Sequence, residues 1–169
     1  MAQIKQSASY PKARNGSLEG PLHQFLIDGS RVLKSAAAKA GTFVTRGATA
    51  GQCKPPTTAG EVNVTGLGFL VADSAKGANG TANEYAVDDA ASVVLEGPGV
   101  WCVAQEALAA GDPVWVVHGA TGRGMIRNDL NTDQAAQLFG ATVQEYIADT
   151  TWGGTGIARI NMPRVADFS

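Results

Sequence analysis

From Arg31 onward the chain is a succession of short runs rich in Val, Ile, Phe, Thr and Trp, each stopped by Gly, Pro, Asp or Asn. The runs read TFVTRG, EVNVTGLGFLVAD, ASVVLEG, GVWCVAQE, DPVWVVHG, QLFGATVQEYI and GIARINM. β-Branched and aromatic side chains lose rotamer freedom on a helix but pack well on a pleated surface, and closely spaced Gly and Pro cut every run short. This punctuation predicts an all-β fold, a compact sandwich or barrel, over residues 31–163, with a short tail at 164–169. Two stretches have weak helical character: RVLKSAAAKA, and TDQAAQLF with Thr132 as its cap. Neither carries an apolar stripe. AKGANGTANE, residues 75–84, reads as a polar loop.

Residues 1–30 have another texture. Pro11, Gly16, Gly20 and Pro21 interrupt them, and Lys5, Lys12 and Arg14 occur in the first half with no acid. The apolar residues Ile4, Tyr10, Leu18, Leu22 and Phe25 stand singly, with no period of 3.6 or 2. A purely solvating tail has no need of Tyr10, Leu22 and Phe25. The pattern predicts an extended N-terminal arm that orders against a partner, each isolated side chain filling its own pocket. A chain starting near Ser30 is then expected to fold without it.

The stretch AAGDPVWVVHGATGRGMIR, residues 109–127, has the glycine density of a phosphate cradle. A P-loop requires GxxxxGK[ST], so that lysine reaches the phosphates and a hydroxyl holds magnesium; here Gly124 is followed by Met125 and Ile126. A dinucleotide fingerprint opens a helix, and no amphipathic helix follows these glycines. A hairpin accounts for every feature, with Val114–Val117 as one strand, GATGRG as the turn and MIR beginning the return. No other constellation calls for chemistry. His23 and His118 lack metal-ligand spacing, Asp88 and Asp89 are adjacent, and no serine sits in a GxSxG elbow. Cys53 and Cys102 stand alone and read as reduced, semi-buried thiols. The expectation is a non-enzyme without cofactor or metal.

The 169 residues suffice for one domain that needs no metal or disulfide to fold. A net charge of −2 with 17% charged residues carries no nucleic-acid signature. The N-terminus lacks the apolar core of a signal peptide, and no run reaches the ~18 apolar residues of a membrane span. Synthesis in a cytoplasm, with no membrane partner, is expected. Val114–Val117 and Val100–Val103 are apolar on both faces, as in a strand between two layers or at a subunit contact. Trp101, Trp115 and Trp152 are candidate anchors of such a subunit interface. AKAGTFVTRGAT (38–49) is echoed by LAAGDPVWVVHGAT (108–121), and GFLVADS by EYIADT. The echo fits a symmetric pair of strand–turn units, or chance.

The order of AGTFVTRG at 40–47, GLGFLVAD at 66–73, GPGVWCVAQEALAAGDPVWVVHGATG at 97–122 and FGATVQEYIADTTWGGTGIARINM at 139–162 resembles the capsid cement, or head decoration, proteins of tailed bacteriophages. The resemblance implies a jelly-roll or β-tulip-like domain on the virion capsid surface. There it would bind the major capsid protein across subunit joints and resist the pressure of packaged DNA. It implies a homo-oligomer, a homotrimer or alternatively a homodimer, with no nucleic-acid partner. The arm residues Ile4, Lys5, Tyr10, Lys12, Arg14, Leu18, Leu22 and Phe25 are then capsid contacts, their basic members steering toward an acidic shell. The competing expectation is a virion fibre, spike or glycan-binding β-module, for which the loop TTWGGTG at 150–156 is the candidate.

Overall fold

Alternating apolar runs that cannot each bury a face alone must close on one another, and the strand pairing shows how they do. A computed structural model describes residues 16–63, 66–72, 84–130, 134–150 and 153–165. The strands are β1 (Leu26–Leu33), β2 (Ala38–Lys39), β3 (Phe43–Arg46), β4 (Gln52–Lys54), β5 (Leu67–Leu70), β6 (Glu84–Tyr85), β7 (Ala90–Ala104), β8 (Pro113–Val117), β9 (Ile126–Arg127), β10 (Ala135–Ala148) and β11 (Gly156–Met162). A short helix, α1 (Ala59–Asn63), and a 3₁₀ turn at Leu22–Gln24 complete the elements. The all-β expectation holds.

The main sheet runs β1-β4-β3-β5-β7-β11-β10-β8-β9, and two further pairings, β1–β7 and β7–β9, fold it into two five-stranded rings. The long strand β7 belongs to both. Its first half lies between β5 and β1, and its second half pairs with β11 and, at Ala104, with β9. Glycines and a proline at Gly97-Pro98-Gly99 mark the passage from one ring to the other.

The two rings repeat one scheme. In the first, β4 pairs parallel with β1 and antiparallel with β3; in the second, β9 pairs parallel with β7 and antiparallel with β8. Gly41 donates to the Leu70 carbonyl at 2.8 Å and Leu70 returns a bond to Thr42 at 3.0 Å; Gly111 and Val143, then Val143 and Asp112, do the same at 2.8 and 3.0 Å. Both glycines have positive φ, 83° and 93°, which side-chain-bearing residues resist. The echo between residues 38–49 and 108–121 therefore falls on equivalent strands and turns. The second echo also falls on equivalent strands, β5 and β10, but out of register.

One core lies within the first ring, around Leu33, Val44, Cys53, Leu70, Tyr85 and Val93. The other fills the second ring and continues across β3 and β5, where Phe43 and Phe69 meet edge to face at 5.8 Å. The two-faced strand Val100–Val103 is thus enclosed within the chain: Val100 and Cys102 enter the larger core, and Trp101 and Val103 are buried as well.

Both weak helical expectations are overturned. Arg31–Leu33 and Ala38–Lys39 are strand, as is Ala135–Phe139; Thr132 lies outside the described residues. Without an apolar stripe, these alanine-rich stretches gain more from a ladder than from a solvent-facing helix. The helix that does form was signalled by a different motif. Thr58 and Glu61 make a capping box, the Glu61 amide donating to Thr58 Oγ1 at 3.3 Å and the Thr58 amide to Glu61 Oε2 at 3.2 Å.

Candidate contact surfaces

The chain joins the described fold through β7. Gly16 donates to the Trp101 carbonyl at 2.9 Å, Trp101 to the Ser17 carbonyl at 3.0 Å, and Glu19 to the Gly99 carbonyl at 2.9 Å. Leu18 packs against the larger core. The Glu19 carboxylate accepts from Trp101 Nε1 at 3.1 Å and from Arg159 Nη1 at 2.7 Å, tying this short strand to β7 and β11. Gly16 is a glycine for want of space: a Cβ there would lie 2.7 Å from the Ala72 amide nitrogen.

The expected arm of residues 1–30 therefore does not continue to Ser30 as a separate segment. Phe25 lies in the core, its ring against Gly97, where a Cβ would fall 2.1 Å from the ring. β1 begins at Leu26. Isolated apolar residues look alike in sequence whether they enter their own core or a partner's pocket, so Leu18 and Phe25 carried no sign of their destination. Leu22 does face solvent, 71% exposed. Ile4, Lys5, Tyr10, Lys12 and Arg14 lie outside the described residues.

Of the candidate interface tryptophans, Trp101 is 2% exposed and covered by the chain's own Ser17–Glu19, which leaves no area for a partner subunit to bury. Trp115 on β8 is half-buried. Trp152 lies outside the described residues. Sequence reasoning missed other exposed apolar side chains: Leu26 and Ile27 at the start of β1, and Phe139 at 69% exposure on β10. Phe139 stands in an irregular stretch where the β8 register passes from Gln137 to Thr142, next to Gly140 at φ 83°. The adjacent Leu-Phe-Gly is its signal, since a glycine inside a strand run marks a bulge.

The glycine-rich stretch is the hairpin expected. β8 and β9 flank it, Val117 donates to Met125 at 2.9 Å, and Gly124 donates to Val117 at 2.8 Å. The amides of Gly119, Gly124 and Met125 are all engaged by backbone carbonyls, which removes donors that a phosphate would need. Gly124 also accepts from the Phe43 amide at 2.8 Å, joining the second hairpin to the first ring. The turn borders a groove of about 250 Å³ shared with Ala36–Lys39 and Glu84.

Among the described residues no group of three or more His, Cys, Asp or Glu is placed to hold a metal. Cys53 and Cys102 are free and buried in separate cores. Burial pushes the Cys53 thiol up to about 11, against a smaller lowering by Arg31, and burial alone raises Cys102 well above its ordinary value.

No curated protein sequence matches this chain. A solved structure described as the capsid of Myoviridae Phage XM1 is similar over 98% of this chain and 100% of the matched chain, with a TM-score of 0.63 and 14% identity. That likeness is one of fold. The family described as structural cement protein (E217 gp24/Pam3 gp6) matches residues 4–162, which takes in most of the leader together with both rings. The chain belongs to this phage structural cement protein family, and it is a structural component of the virion capsid.

Proposed function

We propose that the protein binds the outer surface of the phage head and clamps neighbouring major capsid subunits against internal pressure, acting as a homo-oligomer, a trimer in the first instance. The observation that carries this reading is the entry of the leader onto β7. That strand is shared by both rings, so a pull on the leader is borne by Gly16–Glu19 on β7 and, through β7, by its ladders with β1, β5 and β11. Displacing it requires opening core strands, the elements whose opening approaches the cost of global unfolding. A body of this kind suits transmission of load between attachment points.

Residues 1–15, with Ile4, Lys5, Tyr10, Lys12 and Arg14, extend the attachment to an adjacent protein of the shell. Leu22 and Phe139, exposed on the body, add apolar contacts. In an oligomer each attached contact raises the effective concentration of the next to roughly millimolar, so weak single contacts sum to firm attachment.

The test uses purified full-length protein and emptied, expanded heads. The protein is expected to sediment with the heads at a fixed ratio and to raise the temperature at which they burst. Failure to bind, or binding without any gain in head stability, overturns the clamp.

A further inference from the structure

The two rings are equivalent strand for strand, yet their first strands are covered differently. In the second ring, the β7 edge turned away from β11 is closed by Gly16–Glu19, bonded to Gly99 and Trp101. Matching the registers locates the same edge in the first ring. Trp101 stands opposite Arg159 as Ser30 stands opposite Ser92, and Ala104 opposite Ile126 as Leu33 opposite Cys53. Trp101 thus corresponds to Ser30 on β1 and, across the bulge at Gly29, Val100 corresponds to Asp28.

Among the described residues that edge of β1 is unpaired. β4 joins β1 only at Val32 and Leu33, and no described residue is bonded along the second edge of Leu26–Gly29. Its side chains Leu26 and Ile27 are 41% and 43% exposed, with exposed Leu22 just before them. An open strand edge bearing apolar side chains is a template for strand addition. The bulged register of β1 does not prevent it, since β7 has a register shift opposite Ile160–Met162 and still accepts Gly16–Glu19.

Three observations select the occupant. The equivalent edge in the second ring is filled by the chain's own leader root. The sequence has fifteen residues before Gly16, an extended reach of about 50 Å. These residues carry Lys5, Lys12 and Arg14 and no acid, whereas the edge is bordered by exposed Glu96, opposite Leu26; the nearby Asp28 is already paired with Arg31. A donor in the same copy would have to double back around the body to reach this edge. Gly16 leaves the fold beside Ala72, on the β5 side of β7, whereas β1 flanks β7 on the other side.

We propose that residues preceding Gly16 in one copy add as a strand to the Leu26–Gly29 edge of β1 in a neighbouring copy. Each first strand is then covered, one by its own leader root and the other by a neighbour's leader. Such a contact is heterologous, and it builds a ring where the rotation closes. The inference rests on the reading of the chain as a self-associating cement protein, and it names the first partner of the leader.

The test is crosslinking of the full-length chain in solution. Cys53 and Cys102 are buried, so thiols introduced by Ser9→Cys and Ile27→Cys in one chain are the reactive ones. A short bis-maleimide is expected to give a ladder of covalent dimers and larger species on a denaturing gel. Pairing Ser9→Cys with Val87→Cys, an exposed site elsewhere, is expected to give at least tenfold less. Only intramolecular product, no product, or equal product with Val87→Cys overturns the proposal. Deleting residues 1–15 is expected to reduce the oligomer to monomer by light scattering, and an unchanged oligomer overturns it too. If that unchanged oligomer no longer binds heads, the leader's partner is the shell, and the cement reading stands without this inference.

Discussion

At the scale of single residues, the glycines divide into those that turn the chain and those that admit a neighbour. Gly124 does both. Its φ is 78°, and a Cβ there would sit 2.4 Å from the Phe43 carbonyl oxygen. Gly124→Ala is expected to cost roughly 2 kcal/mol or more, the scale of a strained backbone position. It should appear as a lower urea midpoint with little change in the folded circular dichroism spectrum. The cysteines make an opposite kind of prediction. With both thiols buried and their ionisation pushed upward, neither should react with dithionitrobenzoate in the native protein near neutral pH, and both should react on unfolding. Fast reaction of either thiol in the folded state would show that its core opens readily.

At the scale of elements, α1 is too short to persist alone and is held by its ends. Burial alone would raise the Glu61 carboxyl, but hydrogen bonds from Lys54 and Thr57, with the Lys54 charge, leave it below its ordinary value. A carboxyl lowered in the folded state contributes stability above its unfolded value and loses it as pH falls through the folded one. Glu61→Gln is therefore expected to cost about 1 kcal/mol at neutral pH, typical of a lost cap. The difference from the unaltered protein should shrink below the ordinary carboxylate range, as read from urea midpoints between pH 7 and pH 3. α1 was legible in Thr58-x-x-Glu61, whereas the alanine-rich stretches, which look more helical by composition, became strands. Capping chemistry is local and specific; alanine content is permissive and yields to pairing partners.

For the whole molecule, the boundary between leader and body decides how truncations behave. Removing residues 1–15 leaves Gly16–Glu19 on β7 and Phe25 in the core, so the spectrum and cooperative melting should persist while head binding falls. Removing residues 1–29 takes away Leu18, Phe25 and half of β1. Loss of a core phenylalanine alone costs about 3–5 kcal/mol, a large share of a domain's stability, so this chain is expected to lose cooperative unfolding in calorimetry. Equal stability of the two truncations would show that residues 16–29 belong to the arm after all.

The β-class, the glycine hairpin after β8 and the likeness between residues 38–49 and 108–121 were all present in the sequence. Each depends on side-chain shape and backbone freedom within a few neighbouring residues. The closure of the strands into two rings, the double service of β7 and the burial of Trp101 were decided only by tertiary structure. So were the inward turn of Leu18 and Phe25 and the edge of β1 that is unpaired among the described residues. A hydrophobic side chain states that it must leave water, but which surface receives it depends on strands distant in sequence, and the chain settles that only when its ladders close.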